Sequence, residues 1–166
     1  MGKILKLDIP YQYVDFKDLE EIIEGFSNDN VSMYIKENSP RFYNSIQDII
    51  EPVLITLSSS LLSTISLNLV SNSIYDSFKK LLFTLKNNNN RRFLLGKEPD
   101  ENMKVVTKVC LKIEHENGKS INFEIDNIPD DKIDEAFKQL ENAIKTIAHN
   151  ENSLLTYDKE KNEWKE

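Results

Sequence analysis

The sequence predicts an α+β domain built on a small, mixed, four-stranded sheet, with the element order β-α-β-α-α-β-β-α and a long, apolar, serine-rich helix at its centre. Three observations predict this fold. Residues 52–75 carry no charged side chain, although 30% of all residues are charged. Residues 103–126 alternate apolar and polar side chains, which is typical of a β-hairpin. Residues 133–147 repeat apolar side chains at helical spacing, which indicates a helix that packs on the sheet.

The chain length fits one domain followed by a tail. Its 166 residues suffice to bury a hydrophobic core. We assign residues 1–150 to a single α+β domain. Residues 151–166 are rich in charge and are predicted to form a flexible C-terminal tail. Within this tail, a last hairpin around residues 158–162 is the alternative, and Trp164 is a candidate anchor for a partner.

Charge and cysteine content exclude several classes of protein. The net charge of −7 argues against nucleic-acid binding, which depends on neutralising phosphates. The single cysteine, Cys110, excludes an intrachain disulfide and a cysteine-rich zinc site. The N-terminal residues have no apolar run long enough for a signal peptide. We therefore expect a cytoplasmic protein, which associates with a membrane only if its uncharged stretch inserts there.

The first elements form a strand, a helix and a strand. Residues 3–9 predict a short strand that ends at Pro10. Asp15 is a candidate N-cap for a helix whose apolar face repeats at helical spacing up to Phe26. Residues 31–36 predict the second strand, and such short connections favour a parallel βαβ unit. A further short helix is predicted at residues 41–50.

The uncharged stretch then predicts one long helix over residues 53–86. Pro52 suits the first turn of a helix, and no glycine or further proline follows before Lys86. At 100° per residue the leucines and isoleucines collect on one side, and hydroxyl side chains collect on the other. The candidate interaction residues on this hydroxyl face are Thr56, Ser59, Ser60, Ser63 and Ser66.

This hydroxyl face has three interpretations. A helix face in water normally carries Lys and Glu, so hydroxyls without charges indicate contact with something other than bulk solvent. The helix is buried in its own domain, or its small residues form a close interface with a partner or a second copy, or the stretch inserts into a membrane. Its length is sufficient to span a bilayer, but its Ser, Thr and Asn content argues against insertion. Hydroxyls can also bond to the carbonyl four residues earlier, which allows burial.

The register of the predicted hairpin follows from its side-chain pattern. A two-residue turn would place Ile113 opposite a polar residue. A three-residue loop that ends at a left-handed Gly118 instead pairs Ile113 with Ile121 and Leu111 with Phe123. We predict the second register, because it keeps apolar residues on one face of both strands.

No residue pattern indicates catalysis. His115 lies between two glutamates at the hairpin tip, where a turn is a better interpretation than a metal site. Cys110 lies between Lys108 and Lys112, which would lower its pKa, but no acid or base partner is near in the sequence. The serines lack the GxSxG elbow of a hydrolase. We predict that the protein is not an enzyme and uses no cofactor or metal.

The element order, the serine-rich segment LITLSSSLLSTISLNLV and the hairpin KVCLKIEHENGKSINFEI resemble the effector-associated constant component modules of bacterial conflict systems. The resemblance covers about residues 3–149. It implies a non-enzymatic adaptor or effector component, which is encoded beside a sensor or a protease and acts in some cases at a membrane.

We therefore expect a protein-interaction adaptor of a bacterial defence system, which binds another protein or itself through the serine-rich helix. One alternative is a membrane-perturbing effector that uses the same stretch. A further alternative is a small ligand-binding protein, with a pocket between sheet and helix that Tyr34, Phe42 or Tyr43 lines.

Overall fold

In the part of the chain that the structure describes, seven strands form one mixed sheet, and four α-helices pack on one of its faces. The computed structural model describes residues 2–10, 13–38, 52–67, 72–86, 108–147 and 154–166. The strands are β1 (Ile4–Ile9), β2 (Ser32–Glu37), β3 (Val53–Ser58), β4 (Val109–Glu114), β5 (Ser120–Glu124), β6 (Leu154–Asp158) and β7 (Glu163–Lys165). The helices are α1 (Phe16–Asn28), α2 (Ser59–Leu67), α3 (Ser73–Lys86) and α4 (Ile133–Ile147). The strand order is β2-β1-β3-β4-β5-β6-β7.

The sheet consists of parallel strand pairs that meet in antiparallel junctions. β1 and β2 are parallel and joined through α1, as the sequence predicts. β3 and β4 are parallel and joined through α2 and α3, and β5 and β6 are parallel and joined through α4. Antiparallel pairing links β1 to β3 and β4 to β5, and β7 closes one edge as an antiparallel partner of β6.

The crossovers through α1 and α4 have opposite hands. β1 and β5 run in the same direction, because two antiparallel junctions and one parallel pairing lie between them. In the sheet, β2 lies next to β1 toward one edge, whereas β6 lies next to β5 toward the other edge. Both helices join one buried core on the same face. One of these two crossovers therefore has the left-handed form, which parallel βαβ units rarely adopt.

The predicted four-stranded sheet and the predicted long central helix are both wrong. The uncharged stretch forms β3, α2 and the start of α3. Val53, Ile55 and Leu57 alternate along β3 and are fully buried between two neighbouring strands, and strands buried in this way lack charges just as buried helices do. Strand changes to helix at Ser58, whose Oγ accepts the Leu61 N–H at 3.4 Å, as an N-cap residue does.

Two of the additional strands come from residues 151–166, which the sequence analysis separates as a charged tail. Trp164 on β7 is only 7% exposed, and its Nε1 donates a hydrogen bond to the Ala136 carbonyl of α4 at 2.9 Å. Its ring packs edge-on against Phe123 at 5.1 Å and Tyr157 at 5.3 Å between ring centroids. Trp164 therefore anchors the last strand to the core and is not an exposed anchor for a partner.

The predicted hairpin register is confirmed. Ile113 pairs with Ile121 and Leu111 pairs with Phe123. Gly118 has a φ of 81°, the left-handed conformation that glycine adopts without strain. Asp15 caps α1 through its side chain, as predicted. The short helix predicted at residues 41–50 lies outside the described residues.

The helix layer is held by aromatic packing and by polar contacts at its rim. Phe78 of α3 packs edge-on against Phe137 of α4 at 5.2 Å between ring centroids. The Tyr75 hydroxyl donates a hydrogen bond to Asp134 at 2.6 Å, and Lys79 forms an ion pair with the same carboxylate at 2.8 Å. Lys79 and then Tyr75 lower the pKa of Asp134 by favouring its charged form.

Replacing Trp164 tests whether the last two strands contribute to the fold. We expect Trp164→Ala to lower the free energy of unfolding by about 3–5 kcal/mol, because a large buried ring is lost. Trp164→Phe is the matched control: it keeps the ring packing, and loss of the hydrogen bond to Ala136 costs about 1 kcal/mol. Chemical denaturation measures both values. Equal stability of the alanine variant and the wild type would show that β7 is not docked.

The shifted pKa values of Asp126 and Asp158 predict opposite effects of pH on the stability of the fold. Burial raises the pKa of Asp126 to about 6 from 3.8, although its carboxylate accepts the Val109 N–H at 2.7 Å. A raised pKa means that the folded state binds this proton more tightly. The contribution of Asp126 to the free energy of unfolding is therefore fully present below pH 3.8 and is lost as the pH rises through 6. We expect Asp126→Asn to gain stability relative to the wild type over that window.

Asp158→Asn is the control with the opposite sign. Hydrogen bonds from Lys165, Lys161 and Glu160 lower the pKa of Asp158 to about 2. Its stabilising contribution is present above pH 3.8 and is lost as the pH falls through 2. Unfolding measured from pH 2 to pH 8 should thus give difference curves of opposite slope for the two variants, between pH 2 and 3.8 for Asp158→Asn and between pH 3.8 and 6 for Asp126→Asn. Difference curves with the same slope would contradict the opposite pKa shifts of Asp126 and Asp158.

Candidate functional site

The five predicted interaction residues do not form one helix face. Thr56 lies on β3 and is buried. Ser59 and Ser60 begin α2 and are half-buried, whereas Ser63 is exposed and Ser66 is half-buried further along the same helix. The structure therefore divides the predicted hydroxyl face between a strand, a junction and a short helix.

The junction between β3 and α2 uses its hydroxyls internally. Ser58 Oγ accepts the Ile4 N–H at 3.0 Å and lies 3.1 Å from Ser60 Oγ. Both hydroxyls lie within hydrogen-bond distance of the Gly2 carbonyl, Ser60 at 2.9 Å and Ser58 at 3.2 Å. These contacts tie the start of β1 to the start of α2. The polar groups that the sequence offers as an interface here instead stabilise the fold.

Two further hydroxyls bond within α2. Thr64 Oγ1 donates to the Ser60 carbonyl and Ser66 Oγ donates to the Leu62 carbonyl, both at 3.0 Å. This is the bond to the carbonyl four residues earlier that the sequence suggests. Because their donors are already occupied, these side chains can be covered by another surface without leaving an unpaired hydroxyl hydrogen.

One face of α2 remains uncharged and partly open to solvent. Leu61, Leu62 and Ile65 point into the core. The opposite face consists of four residues within about 100° of helix rotation, and we call it the α2 patch. Its residues are Ser59, Ser63, Ser66 and Leu67. Leu67 is 74% exposed, the most exposed of the large apolar residues in the described part of the chain.

The sequence analysis missed Leu67 because it collected only hydroxyl residues on this face. Leu67 lies four residues after Ser63, so the two share one side of any helix that contains both. This spacing was the signal that would have found it.

The open face of the sheet is charged and forms its own ion pairs. Lys6 pairs with Glu114 at 3.1 Å, and Lys108 pairs with Glu124 at 3.4 Å. Tyr34 belongs to this face, since it is paired with Lys6 and is 60% exposed. The predicted pocket between sheet and helix therefore does not include Tyr34, and Phe42 and Tyr43 lie outside the described residues.

Two residues considered for chemistry, Cys110 and His115, lie on β4 and in the turn that follows it. Burial raises the pKa of the Cys110 thiol, and the nearby Asp126 and Glu124 raise it further, so the thiolate that reactions need is disfavoured. His115 forms backbone hydrogen bonds that close the hairpin loop. No group of three or more His, Cys, Asp or Glu side chains in the described segments is arranged to hold a metal ion.

No protein-family model matches this chain, and searches of the curated proteins and of the solved structures return no match. Among the helices of the described residues, none has both the length and the apolar composition that a membrane crossing requires.

Replacing Ser58 separates its structural role from that of the exposed serines. We expect Ser58→Ala to lower the free energy of unfolding by about 1–3 kcal/mol, because the cap of α2 and the acceptor for the Ile4 N–H are both lost. Ser63→Ala is the control, with an expected change below about 0.5 kcal/mol at an exposed site. Thermal or chemical unfolding measures the difference. Equal losses in both variants would contradict this division of roles.

Proposed function

We propose that the protein is a non-enzymatic interaction module of a bacterial conflict system, which binds another protein or a second copy through the α2 patch. The observation that carries the proposal is the exposed Leu67 at the end of a helix without a charged residue. A cytoplasmic location is part of the proposal. The conflict-system context comes from the sequence resemblance alone.

The chemistry of the α2 patch favours a protein partner. Charged residues are depleted at the centres of protein interfaces, where apolar side chains are buried. The α2 patch combines small hydroxyl residues, over which another backbone can approach closely, with one large apolar side chain. The Ser66 hydroxyl already donates to the Leu62 carbonyl. A partner that covers Ser66 therefore leaves no unpaired hydroxyl hydrogen.

The surrounding surface explains why the α2 patch is a distinct region. The open sheet face carries Lys6, Lys112 and Glu114 in ion pairs, and the rims of α3 and α4 carry pairs such as Lys79 with Asp134. A partner that covers those regions must desolvate charges, which costs free energy. A partner that covers α2 desolvates none on this side of the contact.

A photo-crosslinking residue placed at position 67 tests the proposal in cells. We expect specific crosslinked products from position 67 and none from position 154, because Leu154 is also exposed, at 48%, but lies on the open sheet face. Leu67→Lys should weaken the affinity for the captured partner by at least about tenfold, or about 1.4 kcal/mol. Ser63→Lys should act in the same direction.

The control for the affinity measurement is Leu154→Lys, for which we expect unchanged binding. Absence of crosslinks from position 67, both in cells and in concentrated purified protein, would overturn the proposed function. Equal effects of lysine at positions 67 and 154 would also overturn it, because a general loss of solubility would then explain both.

A further inference from the structure

Among the described strands, β2 lies at one edge of the sheet. It pairs with β1 on one side, and no described strand lies on its other side. The Ser32 N–H bonds to the Lys3 carbonyl and the Asn38 N–H bonds to the Ile9 carbonyl. In a parallel ladder alternate residues bond to the same neighbour, so the N–H and C=O groups of Met33, Ile35 and Glu37 point away from β1. Such an edge is a template for another strand.

The opposite edge of the sheet does not offer the same template. β7 has only three residues, and Glu163 and Lys165 on it are exposed and charged. Short edges with charged side chains are a common protection against strand addition. β2 is twice as long, with six residues.

The outward groups of β2 are complementary to those of a second β2 strand. An antiparallel pair centred on Ile35 places Ile35 opposite Ile35 and Met33 opposite Glu37. Each of these is a pair that exchanges both backbone hydrogen bonds, and all three outward residues are used. On the open face the same register places Tyr34 opposite Lys36, so no like charges face each other across the strands.

α1 supplies a second, independent surface at this edge. One side of α1 packs on α3, where Glu21 forms an ion pair with Lys80 and Gly25 contacts Ser77. Phe16 and Ile23 lie seven residues apart on the other side, toward β2. Phe16 is 48% exposed and Ile23 is only partly buried. Glu20 lies between them on the same side of the helix and is exposed, so this flank presents two apolar side chains beside one carboxylate.

The spacing between strands and the spacing between packed helices allow two β2 strands to pair and two α1 helices to pack at the same time. α1 crosses between β1 and β2, so it lies roughly above their midline. If two β2 strands pair, the two α1 helices lie two strand spacings apart, about 10 Å. Packed helices lie about 8–10 Å apart. The pairing that joins the two sheets therefore also brings together the two flanks of α1 that carry Phe16 and Ile23.

We propose that two copies of this chain associate through antiparallel pairing of β2 around Ile35, with α1 packed against α1, to give a two-fold dimer with one continuous sheet. A second copy fits better than a foreign strand, because a single added strand would leave Phe16 uncovered. A two-fold contact also uses the same surface on both partners. This inference does not depend on the α2 patch, which lies on other residues.

A disulfide tests the register. In a Cys110→Ser background, Ile35→Cys should give an interchain disulfide under mild oxidation, because directly opposite residues of a hydrogen-bonded pair have Cα atoms about 5.5 Å apart. Tyr34→Cys is the matched control and should give little, because position 34 then lies opposite position 36. Stronger crosslinking at position 34 than at position 35 would overturn the proposed register.

Light scattering of the full chain over a range of concentrations tests the dimer. We expect a concentration-dependent dimer whose dissociation constant rises at least about tenfold in Phe16→Glu and is unchanged in Leu154→Glu, which changes an equally exposed residue. A monomer at every concentration would overturn the inference. A dimer that Phe16→Glu leaves intact but Leu67→Lys dissociates would overturn it as well, while supporting the proposed function.

Discussion

The fold depends on the burial of β3 and on the abrupt change from strand to helix at its end. β3 joins the β1–β2 unit to the β4–β5 hairpin, with β1 antiparallel on one side and β4 parallel on the other. Of the described strands with one parallel and one antiparallel neighbour, β3 alone leads directly into a helix. Its inward residues Val53, Ile55 and Leu57 are fully buried. Ser58 ends the strand because its hydroxyl accepts N–H groups from both Ile4 and Leu61. One side chain thus fixes the register of β1 and the start of α2.

The same constraint explains which parts of the fold could be predicted from the sequence. The register of the β4–β5 hairpin was predictable, because its polar side chains alternate with apolar ones and only one register keeps Ile113 and Ile121 on the same face. The uncharged stretch was not, because a buried strand and a buried helix both lack charges. A period can be measured only where polar and apolar residues contrast, and in residues 53–58 the one hydrophilic residue before Ser58, Thr56, is itself buried.

The C-terminal hairpin of β6 and β7 was predicted only as the alternative to a flexible tail, for a different physical reason. Their stability comes from contacts that are distant in sequence: Trp164 donates to Ala136 and packs on Phe123. Glu163 and Lys165 flank this tryptophan and are exposed. A strand of three residues is too short for its alternation of exposed and buried side chains to be recognised in the sequence. The α2 patch was predicted only in part: Ser59, Ser63 and Ser66 were among the predicted residues and Leu67 was not. Thr56 is instead buried in β3, and Ser60 bonds to the Gly2 carbonyl.

The arrangement of the crossovers determines where uncharged surface remains. Placing α1 and α4 on the same face requires opposite hands, and none of the described helices lies on the other face of the sheet. That face remains in contact with water through paired charges such as Lys6 with Glu114. Four large apolar residues are exposed in the described chain, and two of them, Tyr34 and Leu154, lie on that open face. The other two lie at the ends of the helix layer, Leu67 at the end of α2 and Phe16 at the start of α1. These two side chains stay uncovered because the described helices pack over the centre of the sheet, whereas α2 ends at Leu67 and no described helix lies beyond α1 at the β2 edge.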